Sequence, residues 1–132
     1  MPHNPIRWFE IYVQDMDRAK KFYESVLQLK LEKLNAPAGE MWAFPMQKEQ
    51  YGAAGSLVRI DGVASGGNSV LIYFACDDCA IEAARVSEAG GRIEQDKMSI
   101  NEYGFIVLAV DTEGNTFGLH SMPADAQAGG AC

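Results

Sequence analysis

The 132-residue chain is 48% hydrophobic, carries a formal net charge of −7 and has a pI near 4.7. That length suits one compact domain burying roughly two-thirds of its unfolded surface, and the acidic balance, with no run of Lys or Arg, speaks against nucleic acid or an anionic membrane surface as partner. No apolar stretch approaches the roughly 18 residues of a membrane helix, and the opening Met1-Pro2-His3-Asn4-Pro5 lacks the basic and apolar regions of a signal peptide, so a cytoplasmic location is expected.

In chain order, Trp8 to Val13 alternates as a half-buried strand, and Asp15 is placed to cap a helix whose inner stripe is Ala19, Phe22, Tyr23, Val26 and Leu27. Further strands are predicted at Leu29 to Leu34, Met41 to Pro45 and Ala54 to Ile60, with a turn at Pro37-Ala38-Gly39 and a polar loop from Gln47 to Gly52. The Gly- and Ser-rich stretch from Asp61 to Asn68 reads as a connector.

The grammar then returns at an offset of about 62 to 63 positions. Val70 to Ala75 is a strand, Asp77-Asp78 the cap, and Ala80, Ala83, Ala84, Val86 and Ala89 the inner stripe of a helix stopped by Gly90-Gly91. Strands follow at Arg92 to Met98, Phe105 to Asp111 and Thr116 to Met122, the last two joined by an Asp111-Thr112-Glu113-Gly114-Asn115 turn. The reading is one domain over residues 1–125, built from repeats at about 6–60 and 69–122, with a fraying tail at 126–132. The seam between two equivalent halves is the natural place for a pocket.

Cys76-Asp77-Asp78-Cys79 has the spacing of a redox or zinc half-site, but no second pair accompanies it and nearby acids raise a thiol pKa; Cys76 is expected to end a strand and Cys79 to pack beneath the helix. Gly52-Ala53-Ala54-Gly55-Ser56 opens no helix and so forms no phosphate cradle. Ser56, Ser65 and Ser69 have no histidine partner at a hydrolase-like spacing.

The run from Phe9 to Tyr23, with Val26-Leu27, resembles the opening module of the vicinal oxygen chelate superfamily, which includes glyoxalases, bleomycin and fosfomycin resistance proteins and extradiol dioxygenases. Asp111 to Leu119 resembles its last hairpin, and the likeness spans Ile6 to Met122. The resemblance implies an α+β fold of two βαβββ modules forming a cupped, barrel-like mixed β-sheet, commonly in a homodimer. It also implies a divalent metal held by His and Glu at equivalent strand positions. Here those positions fall on Trp8, on or beside Leu71, on Gly118, and on Gly55 or Ser56, which supply no suitable ligand quartet. Metal-dependent chemistry is therefore disfavoured, and neither metal nor other cofactor is expected.

If the metal-facing positions point into the cup, alternation adds Glu10 and Tyr12 to Trp8, Tyr73 to Leu71, and His120 to Gly118. Gly55 and Gly118 are expected to leave room, while Trp42, Phe44, Tyr51 and Tyr103 wall an apolar slot. Glu10 and His120 read either as a proton-shuttling pair or as polar residues whose tips reach solvent. The sequence thus points to metal-independent binding of a small, partly apolar molecule, for sequestration or sensing. A lyase, isomerase or epimerase acting on a small oxygenated substrate, and a ligand-free dimerisation module, are the alternatives.

Overall fold

Strand β1 (Trp8–Tyr12) gives way at Asp15, whose extended backbone and side chain, accepting from Arg18 N at 3.1 Å, start helix α1 (Met16–Leu27). The computed structural model to which these elements belong describes residues 6–36, 39–47, 49–67 and 70–123. Met16, Ala19, Phe22, Tyr23 and Val26 form the buried stripe of α1, and Gln28, at φ 55°, ends it in the left-handed conformation. Strands β2 (Glu32–Leu34), β3 (Glu40–Ala43) and β4 (Ala54–Arg59) complete a sheet in the order β1-β4-β3-β2, with β1 and β4 parallel. β3 stops before Pro45, which has no N–H for a ladder, after Phe44 N donates to Gly55 O at 2.9 Å.

The second module repeats the order: β5 (Tyr73–Ala75), α2 (Cys79–Glu88), β6 (Arg92–Ser99), β7 (Phe105–Val110) and β8 (Thr116–Ser121). Its sheet runs β5-β8-β7-β6, with β5 and β8 parallel. Asp78 caps α2 by accepting from Ala80 N at 3.0 Å. The buried line of α2 is Cys79 and Val86, flanked by half-buried Ala83 and Ala89; Ala80 and Ala84, expected inside, face solvent. β5 is three residues long where six were expected, and an unanticipated 3-10 turn, Asn101–Tyr103, precedes β7. The tail, Cys132 and most of the Pro37-Ala38-Gly39 turn lie outside the described residues.

The two four-stranded sheets are the paired α+β modules expected, and they do not close into a barrel. One core serves both. Tyr23 of α1 packs against Phe44 of its own module and against Phe74 and Phe117 of the other, at ring separations of 5.6–5.8 Å.

A polar clasp reinforces that shared core. Asp111 Oδ1 accepts from Glu113 N and Asn115 N, both at 2.8 Å, while Oδ2 accepts from Tyr23 OH at 2.7 Å. Asn115 Nδ2 donates to Tyr12 O at 3.0 Å, and Glu113 Oε1 accepts from Gln14 N and Asp15 N at 2.9 and 3.0 Å. Arg18 adds two charge-assisted bonds to Glu113, of 2.7 and 3.0 Å. Burial alone raises a carboxyl pKa, but Arg18, the two backbone amides and Thr112 hold Glu113 down at about 2.

Candidate functional site

Strand register settles which side chains share a face. Glu10 lies opposite Ser56 and Tyr12 opposite Val58, so with Trp8 they project from the side of the first sheet away from the core, while Phe9, Ile11 and Leu57 turn into it. In the second sheet Tyr73 lies opposite Gly118 and Ala75 opposite His120 on the corresponding side, with Phe74 and Leu119 inward.

A cleft of about 860 Å³ lies at the seam, between β1 and the segment from Val70 to Ala75. Trp8, Leu71 and Tyr73, each more than a third exposed, line it with Tyr51, and Glu10 and His120 supply its polar contacts. Phe9 and Phe74, whose rings meet edge-on at 5.9 Å, connect it to the core. A second cavity, of about 170 Å³, shares Glu10, Val70 and Ile72 with it and continues past Tyr12 to Asn115 and to Ser65 and Gly66 of the connector. Those two connector residues are fastened to the clasp, Ser65 Oγ donating to Glu113 O and Gly66 N to Asn115 Oδ1, each at 2.7 Å.

The two titratable groups proposed as a pair have different partners. Glu10 accepts from Trp8 Nε1 at 3.2 Å and from Tyr12 OH at 2.8 Å. The bond to Glu10, helped by burial, raises the Tyr12 pKa above its usual 10.0, so the hydroxyl stays protonated and donates at neutral pH. His120 Nε2 lies 2.7 Å from Tyr103 O, and since a carbonyl only accepts, Nε2 carries a proton and donates it to that bond. Both residues line the cleft, and neither orients the other through these bonds. The Trp8, Glu10, Tyr12 group follows from period-two spacing on one strand and was legible there.

Several expected lining residues stand elsewhere. Trp42 pairs with Leu57 and so lies on the core face, where Lys20 Nζ sits 3.3 Å from its ring centroid. Phe44 is a core ring packed on Phe9, Tyr23 and Phe74. Gly55 lies opposite Phe9, and a Cβ there would overlap the Phe9 ring; at Gly118 it would overlap the ring of Tyr73. Neither glycine opens space for a ligand. The ring of Tyr103 is largely exposed, and its carbonyl is the group that reaches His120.

Cys79 is fully buried, and the Cys76 thiol is pushed up to about 12 by burial first and by Glu82 second, so neither is a poised nucleophile or metal ligand. The positions to which the resemblance assigns metal ligands carry an indole at Trp8, an alkyl chain at or beside Leu71, at most a hydroxyl at Gly55 or Ser56, and no side chain at Gly118. The Oγ of Ser56 is buried without a hydrogen-bond partner among the described residues, and one hydroxyl is too poor a donor set for a divalent ion. Among the described residues no group of three or more His, Cys, Asp or Glu is placed to hold a metal, and no helix is long and apolar enough to cross a membrane.

Paired βαβββ modules with a cleft at their seam define a fold class, and comparison with known proteins places the chain within it. Residues 6–119 match the family model for the Glyoxalase/Bleomycin resistance protein/Dioxygenase superfamily, and the chain belongs to that family. Similar solved structures include glyoxalase I from Zea mays, at 21% identity and a TM-score of 0.72, covering 94% of this chain and 48% of that one. TnmS3, an antibiotic-binding protein from Streptomyces sp. CB03234, matches at 24% identity and a TM-score of 0.66 over 93% and 99% of the two chains. A glyoxalase-related enzyme from Fulvimarina pelagi matches at 14% identity and a TM-score of 0.69 over 92% and 90%. This chain thus spans about half the length of the maize enzyme, and at these identities the likeness is one of fold. No curated protein matches the sequence.

Proposed function

We propose that the chain binds a small, partly apolar molecule in the seam cleft without a divalent metal, sequestering or sensing it, and does so as a homodimer. The observation that carries this reading is the cleft itself, about 860 Å³ walled by Trp8, Leu71 and Tyr73, in a fold whose metal positions hold unsuitable donors. Likeness to an antibiotic-binding protein supports it. A second copy covering the open side would shelter Ile6, Tyr51 and Val70, each more than 60% exposed at the cleft. The test is a thermal-shift screen of flat apolar compounds followed by tryptophan fluorescence. A hit should raise the melting temperature of the wild type and lose its effect in Trp8→Ala; a screen without hits, or hits indifferent to Trp8, overturns the reading.

One observation favours a catalytic alternative: Trp8 and Tyr12 orient the Glu10 carboxylate at the cavity wall, where it is placed to accept a proton. A lyase, isomerase or epimerase using Glu10 as base would lose turnover in Glu10→Gln. Turnover of small oxygenated substrates that is unchanged in Glu10→Gln and His120→Ala rules that chemistry out.

A further inference from the structure

Among the described residues, Glu10 occupies a position that no other charged side chain shares. It lines both the large cleft and the smaller cavity behind it, and among the described residues lining the two it is the only carboxylate. Among the described residues no lysine or arginine lines either cavity, and none of the ion pairs Arg18–Glu113, Arg59–Asp61 and Lys97–Asp78 involves it. What holds Glu10 is a pair of neutral donors, Trp8 Nε1 and Tyr12 OH, one to each oxygen. Being neutral, they orient the carboxylate without cancelling its negative charge.

We propose that the ligand of this cleft is a cation, an aromatic amine, amidine or guanidine whose charged group sits on Glu10 while its ring lies against Trp8 and Tyr73. The inference rests on the cleft-binding reading and adds the ligand's charge to it. A guest filling the cleft strips water from Glu10; a neutral guest leaves that charge buried and unpaired, whereas a cation replaces the lost hydration with a charge-assisted hydrogen bond. The aromatic faces add a second attraction for positive charge, and the net charge of −7 draws cations toward the protein. Each carboxylate oxygen retains a lone pair beyond the one its neutral donor uses, so binding requires neither donor to leave.

The discriminating experiment compares 1-naphthylmethylamine with 1-naphthalenemethanol, near-isosteres that differ in charge, by calorimetric titration at pH 7. Wild-type protein should bind the amine about tenfold or more tightly than the alcohol, with the preference shrinking as salt rises. Glu10→Gln keeps an oxygen acceptor for Tyr12 and should bring the two affinities within about twofold, chiefly by weakening the amine. Equal affinities in the wild type, or a preference that survives in Glu10→Gln, overturn the assignment of charge while leaving cleft binding intact. If neither compound binds and Trp8→Ala alters nothing in the wider screen, the cleft reading falls and this inference with it.

Discussion

At Gly55 the ring of Phe9, from the neighbouring parallel strand, occupies the space a side chain would need. That ring also packs on Phe44 and Phe74, so giving way to a side chain at Gly55 would disturb both contacts. Gly55→Ala should therefore cost about 1–3 kcal/mol, measured as a lower urea midpoint at unchanged slope. Gly118→Ala meets the ring of Tyr73, which is 45% exposed and freer to swing away, so its stability loss should be the smaller of the two. The sequence shows glycines at both places, but a one-residue uncertainty in register moves a side chain to the opposite face of the sheet. Gly55 and Ser56 were therefore interchangeable as candidates until the pairing of Glu10 with Ser56 fixed the register. Trp42 went to the wrong face for the same reason: nothing near it in sequence reports its pairing with Leu57.

Among elements, both helices were legible because their starts depend on local chemistry: Asp15 and Asp78 each bond an amide two or three residues on. The hairpin Asp111–Asn115 was legible as a turn but not as a clasp, since its partners lie about 100 residues earlier, at Tyr12, Gln14 and Asp15. Glu113 is the charge at its centre. Its pKa falls from 4.5 to about 2 on folding, so its stabilising contribution is complete above pH 4.5 and disappears as the pH drops toward 2. Glu113→Gln should lose on the order of 2–3 kcal/mol at pH 7 and show a flatter stability profile over that acid range, read from urea titrations at a series of pH values. A variant with the wild-type slope between pH 4.5 and 2 would place the acid sensitivity elsewhere.

For the molecule as a whole, the duplication was readable because each half carries its own strand, cap and helix pattern, whereas the way the halves share a core was not. Phe22 and Tyr23 of the first module meet Phe117 of the second, and Phe74 contacts Phe9, Tyr23 and Phe44. A half cut from the other loses those contacts and keeps only the packing of its helix on its own sheet, such as Tyr23 on Phe44. A chain ending at Gly67 should lack a near-ultraviolet circular dichroism signal and bind hydrophobic dyes; a sharp cooperative melt from that fragment would show the modules to be independent.

The fastening of Ser65 and Gly66 to the hairpin, together with the grip of Glu113 on the turn before α1, has a consequence for whatever enters the seam. Under the proposed binding, the wall of the smaller cavity at Ser65 and Gly66 can shift only by giving up hydrogen bonds formed on folding, whereas the wall of the large cleft at the half-exposed Tyr73 can yield to a guest.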